Sequence, residues 1–262
     1  MKTKSSSPVL PGKNPLKELL RKGQSAIGVV ITVNNLEVAT RMAALGFDFL
    51  WLETEHSPLS LETIQNIVLA TRGLPAVPIA RPPVNELWTA KRLLDMGALG
   101  VIFPFTTSPA LARQAVAACR YPPAGLRGSG ADLAKLRWSE PKNYYDFADE
   151  NVLVVAMLED VEGLRCVDEI AATPGIDVIF IGTSDLSFSL GLRGEQHHRR
   201  LDAAVARIAT AAKRHGKVLG RPGRTPEEIR RFQAQGFRFF MTGTELDFLE
   251  AGTRRFFKAL RG

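Results

Sequence analysis

Cysteine and histidine are scarce in this chain of 262 residues, which contains two cysteines and four histidines. Cys119 and Cys166 are far apart, match no metal-ligand spacing and lie in stretches with a helical pattern. The sequence therefore predicts no disulfide and favours the reducing environment of the cytoplasm.

Long apolar runs are lacking as well. No segment approaches the roughly 18 apolar residues that a membrane-spanning helix needs. Residues 1–15, MKTKSSSPVLPGKNP, are basic and rich in serine and proline, and they lack the apolar stretch of a signal peptide. We expect a mobile N-terminal tail over residues 1–15 and no membrane partner.

The charge balance is basic rather than acidic, with 34 Lys and Arg against 27 Asp and Glu and a net charge of +7. A basic chain raises the hypothesis of nucleic-acid binding. Here the basic residues are spread through helical stretches such as EEIRRFQAQ, and no basic run is interleaved with aromatic residues. This pattern favours solvated outer faces of helices, so we expect no nucleic-acid partner.

Short apolar runs alternate with helical patterns from residue 25 onward, and the length allows one large core or two smaller ones. Such runs, with little polar alternation, are typical of parallel strands covered on both faces. Eight strand–helix units predict a single (β/α)₈ TIM barrel over residues 16–262, with a doubly wound open sheet as the alternative. The predicted strands are 25–32, 47–53, 76–81, 100–105, 152–159, 177–182, 217–222 and 237–243.

Helix boundaries are marked by polar residues at the start and glycines at the end. Ser60 and Thr225 are the predicted N-caps of two helices. Glycine tolerates the left-handed conformation that often ends a helix. The glycines predicted to end helices are Gly46, Gly73, Gly97, Gly216 and Gly236.

Charged residues lie where several of the apolar runs stop. Enzymes with this fold place their chemistry at the C-terminal ends of the strands and in the loops that follow. The segment ETEH, residues 53–56, holds such a position, as do Arg81, Glu159 and Asp185. Any one of them alone fits a solvated loop charge, but four converging on one barrel mouth indicate an active site.

The rim residues indicate how an enolate would be stabilised. Carbon–carbon bond chemistry beside a ketone uses a lysine Schiff base or a divalent metal. No lysine lies at the C-terminal end of a predicted strand, whereas Glu159 and Asp185 offer two hard oxygen ligands without histidine or cysteine beside them. The pair suits Mg²⁺ or Mn²⁺, completed by water and substrate oxygens.

Other rim residues have predicted roles beside the metal pair. In IGTSDLSFSLG, the backbone N–H groups of Gly182, Thr183 and Ser184 are placed to hold a substrate carboxylate at the start of a short helix. Simple capping is the alternative for Thr183 and Ser184. Arg81 would oppose charge on an enolate oxygen, and His56 has the pKa range for proton transfer.

Six segments carry a resemblance to a known family. In order they are GFDFLWLETEHSP, PIARP, RLLDMGALGVIFP, CRYPPAGLRGSG, LEDVEGL and GIDVIFIGTSDLSFSLG. Over roughly residues 15–260 the chain resembles the HpcH/HpaI family of class II pyruvate aldolases. The resemblance implies a barrel enzyme that cleaves a 4-hydroxy-2-oxo acid to pyruvate, or a related 2-oxo acid, and an aldehyde through a metal-stabilised enolate. It also implies a homohexamer, a trimer of dimers, whose last helix is exchanged between subunits.

The resemblance also assigns roles to individual residues. Glu159 and Asp185 match the metal ligands, for Mg²⁺ or Mn²⁺ with Co²⁺ also possible. Arg81 matches the enolate-stabilising arginine and His56 the catalytic histidine. Asp95 in LLDMG matches an aspartate that supports this histidine from a neighbouring subunit.

Several positions depart from the family pattern or have a less defined role. Relatives usually read IDGEH where this chain has LETEH, so that Glu53 replaces Asp and Thr54 replaces Gly beside the catalytic histidine. Met157 stands where glutamine is common, and Thr183 replaces a usual proline. These departures preserve the metal pair but alter the surroundings of the 2-oxo acid, and we expect Glu53 to join the catalytic network. Arg127 in LRGSG matches a motif position and is assigned to substrate binding.

Three functional hypotheses follow. The first is a metal-dependent aldolase acting on small 2-oxo acid and aldehyde substrates. The second uses the same enolate chemistry for synthesis, in a citrate-synthase-like or macrophomate-synthase-like addition. The third is a non-catalytic barrel that binds an acidic ligand or nucleic acid, which the basic charge favours but the combination of metal carboxylates, Arg81 and His56 opposes.

Overall fold

The computed structural model describes residues 12–139 and 141–261, and a barrel of eight parallel strands lies at its centre. The first strand pairs with both the second and the eighth, so the sheet is closed. This confirms the predicted TIM barrel and excludes the open sheet. The strands are β1 (Ala26–Ile31), β2 (Phe49–Glu53), β3 (Val77–Arg81), β4 (Gly100–Phe103), β5 (Leu153–Leu158), β6 (Val178–Ile181), β7 (Val218–Pro222) and β8 (Phe239–Thr244).

Helices connect the strands around the barrel. They are α1 (Pro15–Arg21), α2 (Leu36–Ala44), α3 (Leu61–Ala70), α4 (Leu87–Asp95), α5 (Pro109–Ala118), α6 (Asp132–Arg137), α7 (Tyr144–Asn151), α8 (Val161–Arg165), α9 (Val167–Ala172), α10 (Thr183–Ser189), α11 (Arg199–Arg214), α12 (Pro226–Ala234) and α13 (Glu245–Arg261). The side chains of Ser60 and Thr225 cap α3 and α12 as predicted. Each of the five glycines predicted to end a helix has a positive φ. Helices α1, α6 and α7 were not predicted.

The last residues of the predicted tail belong to the folded chain. Asn14 is buried and caps α1, and its backbone N–H donates to Oδ1 of Asn151 over 2.6 Å. Its side-chain amide donates to the carbonyl of Leu99, just before β4, over 3.3 Å. Helix α1 is therefore fixed at the N-terminal ends of the strands, opposite the predicted active site. Residues 1–11 of the predicted tail lie outside the described residues.

Aromatic side chains fill the barrel interior. The rings of Phe49 and Phe239 stack at 4.5 Å, and Phe180 contacts both Phe239 and Trp51 edge-on. A Cβ at Gly28 would lie 2.0 Å from the ring of Phe49, so glycine makes room for this layer. The barrel is a packed core rather than a pore, which leaves its mouth for chemistry.

The last helix, α13, has little contact with the barrel. Burial along it is confined to Glu245 among the described residues. Large apolar side chains are exposed further along, with Leu249 at 66%, Phe256 at 65% and Leu260 at 68%. Within the described ranges, no helix is long and apolar enough to cross a membrane.

Candidate active site

The predicted rim residues gather at the C-terminal ends of the strands from β2 to β6. Glu53 and Arg81 end β2 and β3 and are register partners. Glu159 directly follows β5, and Gly182 directly follows β6. Asp185 lies in the first turn of α10. The fold therefore brings the predicted metal carboxylates and the predicted enolate-stabilising arginine to one mouth.

Arg81 is held between two carboxylates. Its Nε donates to Oε2 of Glu53 over 2.6 Å, and its Nη1 lies 2.7 Å from Oε2 of Glu55 in an ion pair without hydrogen-bond alignment. The indole Nε1 of Trp51, in the barrel interior, donates to the same Glu53 oxygen over 3.1 Å. Planar guanidinium groups paired in this way have a fixed orientation. Arg81 is thus a rigid positive charge at the base of the mouth.

Glu53 also shapes the turn that follows β2. Its Oε1 accepts hydrogen bonds from the backbone N–H groups of Glu55 over 2.6 Å and His56 over 3.1 Å. The hydroxyl of Thr54 donates to the carbonyl of Arg81 over 2.5 Å. Glu53 and Thr54, two of the positions that depart from the family pattern, therefore tie the turn to β3. The catalytic role of Glu53 stays a prediction.

Glu55 is a site residue that the sequence analysis placed at the mouth within ETEH but to which it assigned no role. It contacts Arg81, and its Oε2 lies 3.6 Å from Nε2 of His56. The Glu55 side chain is 10% exposed, whereas that of His56 is 65% exposed. Burial raises the pKa of Glu55, and the charge of Arg81 opposes this rise. Its position two residues after Glu53 in ETEH was the available signal, but that position fits a helix cap equally well.

Glu159 is the most perturbed acid at the mouth. Its Oε1 accepts the backbone N–H of Phe105 over 2.7 Å, while its Oε2 is buried without a hydrogen-bond partner. Burial raises the pKa of Glu159 to about 8, and the nearby negative charges of Glu55 and Asp185 act in the same direction. A cation beside Oε2 would relieve both the missing partner and the repulsion. These observations fit a metal site.

Glycine at position 182 leaves room for this carboxylate. A Cβ there would lie 2.6 Å from Oε2 of Glu159, far closer than ordinary contact. Within the described part of the chain, no group of three or more His, Cys, Asp or Glu side chains is arranged to hold a metal. An ion held by Glu159 and Asp185 would therefore complete its coordination with water or substrate oxygens.

The start of α10 lies beside the acidic pair. Thr183 is buried and Ser184 is exposed, and no side chain caps this helix among the described residues. The first backbone hydrogen bond of the helix runs from Leu186 N–H to the carbonyl of Gly182, over 3.0 Å. Backbone donors at a helix start favour an anionic group. The substrate-carboxylate role of Gly182, Thr183 and Ser184 stays a prediction.

Asp95 and Arg127 form a separate cluster. Nη2 of Arg127 lies 3.2 Å from Oδ1 of Asp95 and 3.3 Å from the hydroxyl of Tyr144, and the guanidinium covers the ring of Tyr121 at 4.7 Å. Burial raises the pKa of Asp95, and Arg127 opposes the rise. Among the described residues no hydrogen bond or ion pair links this cluster to His56 of the same chain. The roles of Asp95 and Arg127 therefore stay predictions.

Comparisons with known proteins identify the chemistry. A family model described as HpcH/HpaI aldolase/citrate lyase matches residues 26–250. The hydroxypyruvate/pyruvate aldolase of Pseudomonas aeruginosa is 34% identical over 250 residues, which is 95% of this chain and 93% of that relative.

Solved structures agree with this match. An HpcH/HpaI aldolase/citrate lyase family protein from Burkholderia cenocepacia J2315 has a TM-score of 0.88 at 30% identity, covering 95% of this chain and 100% of that one. The citrate synthase SbnG has a TM-score of 0.84 at 30% identity, with coverages of 94% and 97%. The chain is a carbon–carbon lyase, and it belongs to the HpcH/HpaI aldolase/citrate lyase family.

Proposed function

We propose that this chain is a metal-dependent aldolase that cleaves a 4-hydroxy-2-oxo acid to pyruvate, or a related 2-oxo acid, and an aldehyde. The observation that carries the proposal is the buried, unpartnered Oε2 of Glu159 beside Asp185, at the same mouth as the fixed charge of Arg81. A hydroxypyruvate/pyruvate aldolase among the relatives supports the substrate class. A buried acid with a raised pKa and an unpartnered oxygen at the barrel mouth favours an enzyme over a non-catalytic barrel.

The metal would be held by Glu159 and Asp185. Two carboxylates without nitrogen or sulfur donors suit Mg²⁺ or Mn²⁺, with Co²⁺ as a further candidate. When bound, such a cation supplies a Lewis acid that takes up charge from the oxygens of a 2-oxo acid.

The chain's own residues bind and orient the substrate around this position. Arg81 places a rigid guanidinium where negative charge develops on the 2-oxo acid oxygen, and Glu53 fixes its orientation. The N–H groups at the start of α10 bind the substrate carboxylate. His56 is exposed at the mouth, where substrate can reach it, and its ring lies near Glu55. Its proposed role is to carry the proton of the 4-hydroxyl. In this arrangement, binding and proton transfer involve different strands of the barrel.

Carbon–carbon bond formation is the second candidate function. The similarity to the citrate synthase SbnG favours it, because the same enolate can attack a carbonyl in the synthetic direction. The same residues would serve both directions. Incubation of the enzyme with oxaloacetate or pyruvate and an aldehyde or ketone detects net addition by mass analysis. Incubation with a 4-hydroxy-2-oxo acid alone detects net cleavage.

We also propose that the chain forms a homohexamer, a trimer of dimers, with α13 exchanged between subunits. The exposed apolar side chains of α13 support this, since such a face gains most by packing against another subunit. A cytoplasmic location is supported by two free thiols, Cys119 and Cys166. Small 2-oxo acids and aldehydes are the proposed partners, without nucleic acid.

The test is a panel of 2-oxo acids and aldehydes with and without added metal. We expect cleavage and addition with Mg²⁺, Mn²⁺ or Co²⁺, and loss of both after EDTA treatment. Borohydride should trap no adduct with pyruvate, since no lysine lies at the C-terminal end of any of the eight described strands, and Lys217 precedes β7 at the opposite end of the barrel. Full activity in EDTA would overturn the metal-dependent mechanism.

A further inference from the structure

We propose that Phe105 is a positioning residue whose backbone, rather than its ring, orients Glu159 as a metal ligand. The proposal rests on the proposed function for the identity of the ligand site. Its basis is one hydrogen bond and the conformation that makes it: Phe105 N–H donates to Oε1 of Glu159 over 2.7 Å, and Phe105 has a φ of 43°. Left-handed backbone is disfavoured for residues other than glycine, so its use here requires a cause.

The ring of Phe105 does not supply that cause. Phe105 is 45% exposed, so its ring is not packed into the core. A ring that packed into the core would explain a strained backbone by the apolar surface it buries. Here the left-handed conformation directs the backbone N–H of Phe105 toward Oε1 of Glu159.

The residues around Phe105 fix this conformation. The buried Thr106 donates its backbone N–H to the carbonyl of Met157 in β5 over 3.0 Å. Its hydroxyl donates to the carbonyl of Phe103, the last residue of β4, over 3.1 Å. The side-chain amide of Asn85 reaches the same hydroxyl oxygen at 3.4 Å. With Thr106 anchored to β4, β5 and Asn85, the chain turns at Phe105 and its N–H donates to Glu159.

The consequence for Glu159 is that its two oxygens have different surroundings. Oε1 is bound by the Phe105 N–H, and Oε2 is buried without a partner next to Gly182. Groups that bind the second atom of a metal ligand orient it, and their loss typically costs about 10–100-fold in metal affinity. The turn after β4 thus holds Glu159 by Oε1 and leaves Oε2 available to bind an ion.

The test compares substitutions that differ in their tolerance of left-handed backbone. Phe105→Gly keeps the N–H and adopts positive φ readily, while Phe105→Val disfavours it strongly. Both remove the aromatic ring, so ring loss is matched. Mn²⁺ binding to the metal-free proteins is measured by calorimetry, with circular dichroism and thermal unfolding as checks of folding. We expect Phe105→Gly to bind within about threefold of wild type and Phe105→Val to bind about 10–100-fold more weakly.

Two further variants keep the outcome decisive. If Phe105→Val does not fold, Phe105→Ala replaces it and should bind more weakly than Phe105→Gly. Equal affinity in Phe105→Gly and the less tolerant variant would overturn the proposal, whether both match wild type or both are weakened. Glu159→Gln tests the proposed function separately: Mn²⁺ binding that survives this change refutes the metal site itself, whatever Phe105 does.

Discussion

Glu53 and Arg81 are neighbours across β2 and β3, and Oε2 of Glu53 accepts the Arg81 Nε–H over 2.6 Å. The other Glu53 oxygen binds the N–H groups of Glu55 and His56. One side chain therefore connects the fixed positive charge of the site with the turn that bears the histidine. A glutamate spans this distance with one methylene more than the aspartate usual in the family.

This geometry predicts a graded response to changes at Glu53. Glu53→Asp should retain cleavage but alter substrate preference or pH optimum, because the shorter side chain cannot serve Arg81 and the turn equally. Glu53→Gln keeps the length but removes the charge that pairs with Arg81, so it should cost more than Glu53→Asp. The measurement is kcat/KM over a series of 4-hydroxy-2-oxo acids at several pH values. Identical specificity and pH profiles in wild type and Glu53→Asp would contradict the role of Glu53 in orienting Arg81 and the turn that bears His56.

The raised pKa of Glu159 predicts pH-dependent metal binding. Metal binding requires the ionised carboxylate, while burial raises its pKa to about 8 in the metal-free protein. Mn²⁺ affinity should therefore rise about tenfold per pH unit below pH 8 and level off above it. Calorimetric titrations between pH 6 and pH 9 give the slope. A flat profile would show that Glu159 is already ionised at neutral pH.

The same shift affects the stability of the metal-free protein. Between the ordinary glutamate pKa of 4.5 and about 8, folded Glu159 holds a proton that the unfolded chain has released. The stability that Glu159 contributes by holding this proton in the folded state is fully present below pH 4.5. It falls as the pH rises from 4.5 and is lost once the pH has passed through about 8. Glu159→Gln cannot ionise, so the difference between wild type and Glu159→Gln in chemical denaturation isolates the effect.

Gly182→Ala should damage the metal site without unfolding the barrel. The added methyl would lie 2.6 Å from Oε2 of Glu159, so the carboxylate must move or Oε2 must be covered. We expect Mn²⁺ affinity to fall at least about tenfold, in the range seen when a metal ligand is misoriented. Gly252→Ala, in α13 and far from the mouth, is the control, because a Cβ there meets nothing within 4 Å in the same subunit, and its oligomeric state is compared with wild type. Equal Mn²⁺ affinities in the two variants would show that the space at Gly182 does not matter for metal binding.

The barrel was predictable because its signal is repeated along the chain. Each buried strand is a short apolar run, and glycines such as Gly46 and Gly97 end the helices with positive φ. Helices α6 and α7 were missed because they are short, with 6 and 8 residues, and lie together in one long connection after α5. Helix α1 was missed because the serine and proline before it gave the segment the composition of a tail.

The candidate site was predictable where chemistry depends on side-chain type and not where it depends on backbone geometry. Glu159, Asp185 and Arg81 are charged groups at strand ends, so position and chemistry coincide. Glu55 fits a capping charge until the turn is seen to direct it at Arg81. Phe105 contributes a backbone N–H, which nearly every residue possesses, so no residue type could have indicated it.

His56 provides the last prediction, since its predicted role is proton transfer at the 4-hydroxyl. The side chain is 65% exposed and lies 3.6 Å from Oε2 of Glu55, so substrate can reach the ring while Glu55 influences its orientation. Loss of a general base typically costs about 10²–10⁴-fold, and His56→Ala should lower cleavage of a 4-hydroxy-2-oxo acid by that order. Exchange of the pyruvate methyl protons with deuterium should change far less, because enolate formation depends on Arg81 and the proposed metal. Nuclear magnetic resonance follows both reactions on the same preparations. Cleavage at the wild-type rate in His56→Ala would make His56 an ordinary surface residue, while parallel loss of cleavage and exchange would assign it to enolate formation instead.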